Sequence, residues 1–283
     1  MQSSNPVFQR SSGFNGRAAA NDTRISYPAY GTPSGAQTST TPTAPTTVDR
    51  GPMTIDSVVQ KTGITLGLVA ASAAVTWVMT GSPVAADGTE NTAAAQQLMT
   101  LWMVGAFAGL GLALVLSFKR VISPALVIAY AIVEGVFVGA MSKWFETVYP
   151  GVVMGAVIGT AAAVVGTLAA YKFFNIQVGT KFRKWVTAAM FGFVAVVLLD
   201  FVLSMFNAEI GFNGFGGLGL IMSFVGLGLG VLMLIMDFDF VERGIAARLP
   251  EVESWRAAFG LTVTIIWIYI EILRILAILR GND

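Results

Sequence analysis

From Met53 to the end of the chain, apolar stretches follow one another, separated by short polar breaks. Each runs to about twenty residues, long enough to cross about 30 Å of hydrocarbon. Spans are expected near 57–80, 97–117, 123–145, 151–173, 185–207, 215–241 and 255–279. The breaks carry turn or charge signals: Gly81-Ser82-Pro83 with Asp87 and Glu90, then Phe118-Lys119-Arg120, then Tyr149-Pro150-Gly151. Thr180 to Lys184, Asn207 to Gly214 and Glu242 to Arg256 complete the series. Lipid offers backbone N–H and C=O groups no partners, so runs this long have to be helices. The pattern predicts an all-α integral membrane protein, with a seven-helix transmembrane domain over residues 53–283.

Residues 1–52 read differently. They are rich in Ser, Thr, Pro, Gly, Ala and Asn, as in Gly31-Thr32-Pro33-Ser34-Gly35 and Thr38 to Thr47. Without an apolar period this stretch cannot offset its ordering entropy, and a disordered cytoplasmic tail is expected. No apolar core follows the scattered Arg10, Arg17 and Arg24, so it does not read as a secretory signal. A docking tail and an inert solvated extension are both consistent with it.

Composition agrees with the span count. Apolar residues make up 55% of the 283 and charged residues only 12%, and mean hydropathy is +0.71. Soluble domains carry about 25% charge, so much of this surface faces something other than water. The net charge of +1 points to no nucleic-acid partner. There is no Cys and no His, which removes disulfides, thiolate nucleophiles, His-based triads and the common zinc sites. Any response to pH near neutrality then falls to carboxylates.

Charge placement sets the expected orientation. Lys119 and Arg120 follow span two, Lys172, Lys181, Arg183 and Lys184 follow span four, and Arg243, Arg248 and Arg256 follow span six. The loops after spans one and five hold Asp87, Glu90 and Glu209 and no basic residue; Lys143 alone breaks the pattern. By the positive-inside rule the basic loops are cytoplasmic. The tail is then inside and the C-terminus outside, as an odd number of spans requires, in a protein expected in the plasma membrane.

Small residues recur at helical spacing: Gly63/Gly67, Gly105/Gly109, Gly135/Gly139, Gly151/Gly155/Gly159 and Gly226/Gly230. In lipid such pairs let helix backbones approach closely. They lie inside apolar helices with no Lys-Ser/Thr following, so a phosphate loop is not indicated.

Five acids and one deep arginine stand out inside the spans. Glu134 lies in the third, Asp200 in the fifth, Asp237 and Asp239 near the inner end of the sixth, and Glu271 with Arg274 in the seventh. A carboxylate in hydrocarbon costs a few kcal/mol or more unless neutralised or paired, which makes each a functional candidate. At about 1.5 Å per residue, Glu134 sits roughly 15–18 Å, Asp200 roughly 23 Å and Glu271 roughly 24 Å from the cytoplasmic end. A central acidic cluster is therefore expected, partly neutralised by Arg274 one turn beyond Glu271, able to take up a proton or a cation. The competing reading is a static ion pair of Arg274 with Asp200 or Glu271. Asp237 and Asp239 also admit a plain reading as markers of the helix end.

The last two spans carry a further pattern. Gly230-Val231-Leu232-Met233-Leu234-Ile235-Met236-Asp237-Phe238-Asp239 resembles the sixth helix of the Bax inhibitor-1 (TMBIM) family. Ile268-Tyr269-Ile270-Glu271-Ile272-Leu273 resembles that family's Leu-Tyr-Leu-Asp segment, and Ile278-Leu279-Arg280-Gly281 its end. Ser123-Pro124-Ala125, leading to Tyr130 and Glu134-Gly135, is similar to its third-helix entry. The resemblance covers about 57–281 and leaves the tail outside. It implies a seven-helix fold with the last helix central, and a di-acidic pH sensor gating a calcium leak. Matched residue by residue, Asp237 takes the first sensor position and Glu271 the second, where the family has Asp. The family's Arg partner falls in Ser117-Phe118-Lys119-Arg120, leaving Lys119 and Arg120 as candidates, and Arg274 stands where the family commonly has Asn. The longer linker between the acids points to a divergent bacterial branch. Depth counting places Asp237 nearer the cytoplasm than Glu271 by about 10 Å. Either the connection tilts to bring the two together, or Glu271 pairs with Glu134 and Asp200 instead.

Two function classes compete. A pH-sensitive cation (calcium) leak channel uses Asp237, Glu271, Glu134, Asp200 and Asp239 as proton-sensing or cation-binding groups. A non-conducting regulator binds another membrane protein, such as a membrane protease, and leaves the deep acids unexplained. An enzyme is not expected: serine and metallo-proteases need the missing His, and no recognisable motif supports an aspartyl pair from Asp200, Asp237 or Glu271. No cofactor and no firmly assigned metal ligand is called for, calcium entering as the transported ion.

Overall fold

The computed structural model describes residues 51–84, 88–174, 176–208 and 210–281. The expected tail therefore lies outside the described residues except for Gly51 and Pro52, as do the loop acids Asp87 and Glu209. Seven long helices stand among the described residues: α1 (Ile55–Met79), α2 (Thr92–Phe118), α3 (Pro124–Val148), α4 (Val152–Phe173), α5 (Thr180–Ser204), α6 (Gly217–Ala246) and α7 (Glu253–Gly281). All seven are long and apolar enough to cross a membrane.

The boundaries depart from the apolar runs where local chemistry extends the helix. Thr54 and Ser57 close a reciprocal capping box at the start of α1. Asn91 accepts a hydrogen bond from the Ala94 N–H (3.1 Å), so α2 begins several residues before the first strongly apolar position and carries Gln96 and Gln97 within it. At α5 the basic segment from Lys181 to Lys184 forms the first helical turn rather than a loop. The C-terminal end of α6 runs on to Ala246, where Asp239 and Arg243 pair at i,i+4.

The helix α7 is the centre of the bundle. It packs against α1, α3, α4 and α6, while α2 rests on α3 and α5 on α6. Leu273, Ala277 and Tyr269 of α7 meet Met141 and Phe145 of α3 and Ala156 of α4 in one cluster. Leu261 and Ile268 meet Val58 of α1 and Leu234 of α6 in another.

Most of the glycine pairs make the close approaches their spacing predicts. A Cβ at Gly139 would stand 2.5 Å from the Ala73 carbonyl oxygen and 2.8 Å from the Ala73 Cα. One at Gly135 would stand 2.5 Å from the Val69 carbonyl oxygen, so α3 rides directly on the backbone of α1. Gly63 and Gly67 depart from the expectation: nothing lies within 4 Å of either, because their face of α1 is turned away from the bundle. Gly139→Val is expected to destabilise the fold by about 1–3 kcal/mol, since backbone cannot yield to an inserted side chain. Gly63→Ala is expected to leave stability equal or raised, since Ala is the better helix former. Thermal unfolding of the two variants in detergent checks both.

At the end where α1 and α7 begin, a polar ladder joins them. Ser57 and Ser254 hydroxyls lie 2.6 Å apart and Thr65 and Thr262 hydroxyls 2.7 Å apart. Between these rungs the buried Lys61 ammonium meets the Glu251 carboxylate, donates to its carbonyl (3.1 Å) and sits over the Trp255 ring. At the opposite end Lys143 donates to the Trp77 carbonyl (2.7 Å) and to that of Thr80, the last turn of α1. Its place among the acidic loops is thus as a cap on helix carbonyls, where a cation is favoured.

Candidate functional site

Glu271 is held inward by the central position of α7 and is buried, 5% exposed. It faces α6 at Gly226, where a Cβ would stand 2.5 Å from its Oε1 and 2.9 Å from the Phe193 ring of α5. Only glycine leaves room for the carboxylate there. Trp267 donates its indole N–H to the Gly226 carbonyl (3.0 Å) and meets the Phe193 ring edge-on, closing an aromatic wall on one side. Ser223 of α6, fully buried, faces the same carboxylate. Neither Glu271 Oε2 nor Ser223 Oγ has a hydrogen-bond partner among the described residues. A buried carboxylate oxygen left without a donor is costly, and a proton or a cation relieves it.

One turn further along α7, Arg274 donates to the carbonyls of Phe212 (2.7 Å) and Gly214 (3.3 Å) in the loop between α5 and α6. Asp200, at the end of α5, grips the same loop by its amides. Its Oδ1 accepts from Ile210 N–H (2.8 Å) and Gly211 N–H (3.1 Å), and its Oδ2 from Asn213 N–H (2.7 Å). The loop is thus folded between an anion that holds its N–H groups and a cation that holds its C=O groups. Phe215 packs on Phe145 and Tyr149 at the end of α3, which ties this cap across the bundle. Arg274 lies in the field of both Glu271 and Asp200.

The expected three-acid cluster forms only in part. Asp200 and Glu271 flank Arg274, but Glu134 is elsewhere. It lies beside Tyr130, one turn back on its own helix, and packs at Gly109 of α2. The register of α3 is the reason: Gly135, Gly139 and Ser142 face α1 and α7, which turns Glu134 toward α2.

Asp237 and Glu271 are not brought together either. Asp237 accepts from the Thr264 hydroxyl (2.6 Å). Glu271 is level with Gly226, three helical turns from Asp237 along α6, or about 16 Å. The α6–α7 register is set by the close approaches at Gly226 and Gly230, and the connection does not tilt to undo it. Asp239 points to another partner set: it pairs with Arg183 of α5 and, at 2.9 Å, with Arg243. Its partners are arginines of α5 and α6 rather than the other acids. Lys119 and Arg120 do not serve the acids. Their side chains are exposed, and it is their carbonyls that are engaged, by Arg256 (3.4 and 2.8 Å).

Hydropathy and acid placement do not single out Lys61, Ser223 or Thr264. Ser57, Lys61 and Thr65 recur every four residues on α1, and that period was the available signal for the ladder. Among the described residues no group of three or more acidic side chains is placed to hold a metal ion.

Two comparisons bear on identity. The sequence model of the Bax inhibitor 1 like family matches residues 5–281, so the match takes in most of the tail as well as the helices. An uncharacterized protein of Chlamydia muridarum (strain MoPn / Nigg) is 27% identical over 161 residues, 55% of this chain and 65% of the relative. That alignment spans less than two thirds of the relative's own length.

Proposed function

Since the chain belongs to the Bax inhibitor 1-like family, we propose that it is a pH-sensitive cation leak channel, with calcium as the cation and Glu271 as its proton sensor. Glu271 carries this reading: a buried carboxyl on the central helix, one oxygen unsatisfied, one turn from the arginine that holds the loop cap. With Glu271 neutral, Arg274 is free to serve the loop carbonyls and the cap stays folded. Once ionised, Glu271 competes for the same guanidinium along its own helix face. The loop then loses its carbonyl partners and keeps only the Asp200 grip. Phe193 of α5 and Ser223 of α6 add no competing charge, and Asp200 acts on the far side of Arg274. Leak therefore rises with pH.

Asp237, with Thr264, supplies a second acid nearer the basic end of the bundle. In this reading the basic ends of the helices face the cytoplasm of the plasma membrane. Residues 1–52 form an internal tail, 53–283 the transmembrane domain, and the C-terminus lies outside.

Calcium entry into proteoliposomes between about pH 6 and 8 tests the proposal. The expected result is a leak that increases with pH and is altered in level by Asp237→Asn. Folded protein with no leak at any pH moves the chain to the class of non-conducting regulators. Arg274→Gln removes the cation from the loop carbonyls. It is expected to raise leak at pH 6 several-fold, toward the wild-type level at pH 8, with a flatter pH profile in the same assay.

A further inference from the structure

A cavity of about 810 Å³ opens along the side of the bundle between α1 and α4, which do not touch one another. Its floor is α3 and α7. Its walls run from Leu66 to Val78 on α1 and from Val153 to Val165 on α4. Each wall spans thirteen residues, a rise of about 18 Å.

We propose that this groove is a binding site for the acyl chains of a membrane phospholipid. The hydroxyl groups in it are already satisfied within the protein. Ser142 and Tyr269 bond to one another (2.7 Å), and Thr160 donates to the Ala156 carbonyl (2.7 Å). What the groove presents is hydrocarbon, so its ligand is hydrocarbon. The length matches one leaflet, half of the roughly 30 Å apolar core. Trp77 closes the end away from the basic loops, at the level where indoles mark the membrane interface and a headgroup begins.

The extent of the groove argues against a membrane-spanning helix as its occupant. A partner helix would cross both leaflets, and the groove serves one. The chain's own tail, rich in Ser, Thr and Pro, lacks the apolar run to fill it.

Photocrosslinking tests the site in the intact chain. The protein is reconstituted in phosphatidylethanolamine/phosphatidylglycerol vesicles in which the phosphatidylethanolamine carries a diazirine in its acyl chain. Labelled peptides are expected to map to 66–78 and 153–165 at least about fivefold above those from α2 and α5. Ala74→Phe with Ala161→Phe fills the groove from exposed wall positions and is expected to remove that excess. Val104→Trp, on the exposed face of α2, is expected to leave it. Equal labelling of all lipid-facing helices in the wild type overturns the proposal whether or not the filled variant folds. So does an excess that survives in a folded groove-filled variant.

Discussion

Glu271→Gln is expected to abolish the pH dependence of calcium entry, holding the leak between pH 6 and 8 at the wild-type pH 6 level. The amide keeps the shape of the neutral acid and can never compete for Arg274 as an anion. In the wild type the ionised fraction of a lone carboxyl rises at most about tenfold per pH unit, so roughly a tenfold change in leak per unit is the ceiling. The variant is expected to change by less than about twofold over the whole range. The near-isosteric amide adds no bulk at Gly226, and its N–H faces the Ser223 hydroxyl, which has no partner among the described residues. Proteoliposome flux at matched protein density checks it, with Glu271→Asp as the companion. The shorter acid keeps the charge and is expected to keep a pH-dependent leak.

Lys61→Met is expected to be the most destabilising single change at the α1–α7 seam, costing about 3–5 kcal/mol. The ammonium is buried against Glu251, whose side chain keeps 19% exposure, and sits over the Trp255 ring. Removing it leaves a carboxylate facing a protein-lined pocket without its cation, and that uncompensated charge is most of the cost. Partial access of water to Glu251 places the expected value nearer 3 than 5 kcal/mol. The Lys61→Met, Glu251→Leu double variant is expected to recover most of the loss, since neither charge is then stranded. Thermal unfolding in detergent measures both. A double variant no better than the single one contradicts the assignment of the cost to the orphaned carboxylate.

The helices were legible because hydrocarbon thickness leaves a sequence few choices: about twenty apolar residues between polar breaks. The charges inside them were equally plain. Which charges meet was not, because partner choice depends on register, and register is set by contacts that hydropathy does not weigh. The Gly226 and Gly230 approaches slide α6 along α7 until Glu271 lies against Gly226 and Asp237 against Thr264. One residue decides the third helix: Gly135 seeks the α1 backbone, so its neighbour Glu134 is turned to α2. Asp200 was visible as a deep acid, but its partners are amides in a loop whose fold no periodicity describes. Lys61 lay in plain view within the first span, yet only the matching polar rungs of α7 give it a role.

The central claim is that the charge on Glu271 governs the loop gripped by Arg274 and Asp200. The chain has no cysteine, so spin labels at Ile210→Cys in the loop and Val148→Cys at the end of α3 report on it alone. The inter-label distance distribution, recorded in lipid at pH 6 and pH 8, is the direct measurement. The account predicts one narrow population at pH 6 that broadens at pH 8, and no broadening when Glu271→Gln is added. A distribution unchanged with pH in the wild type, or one that broadens equally in the variant, contradicts it.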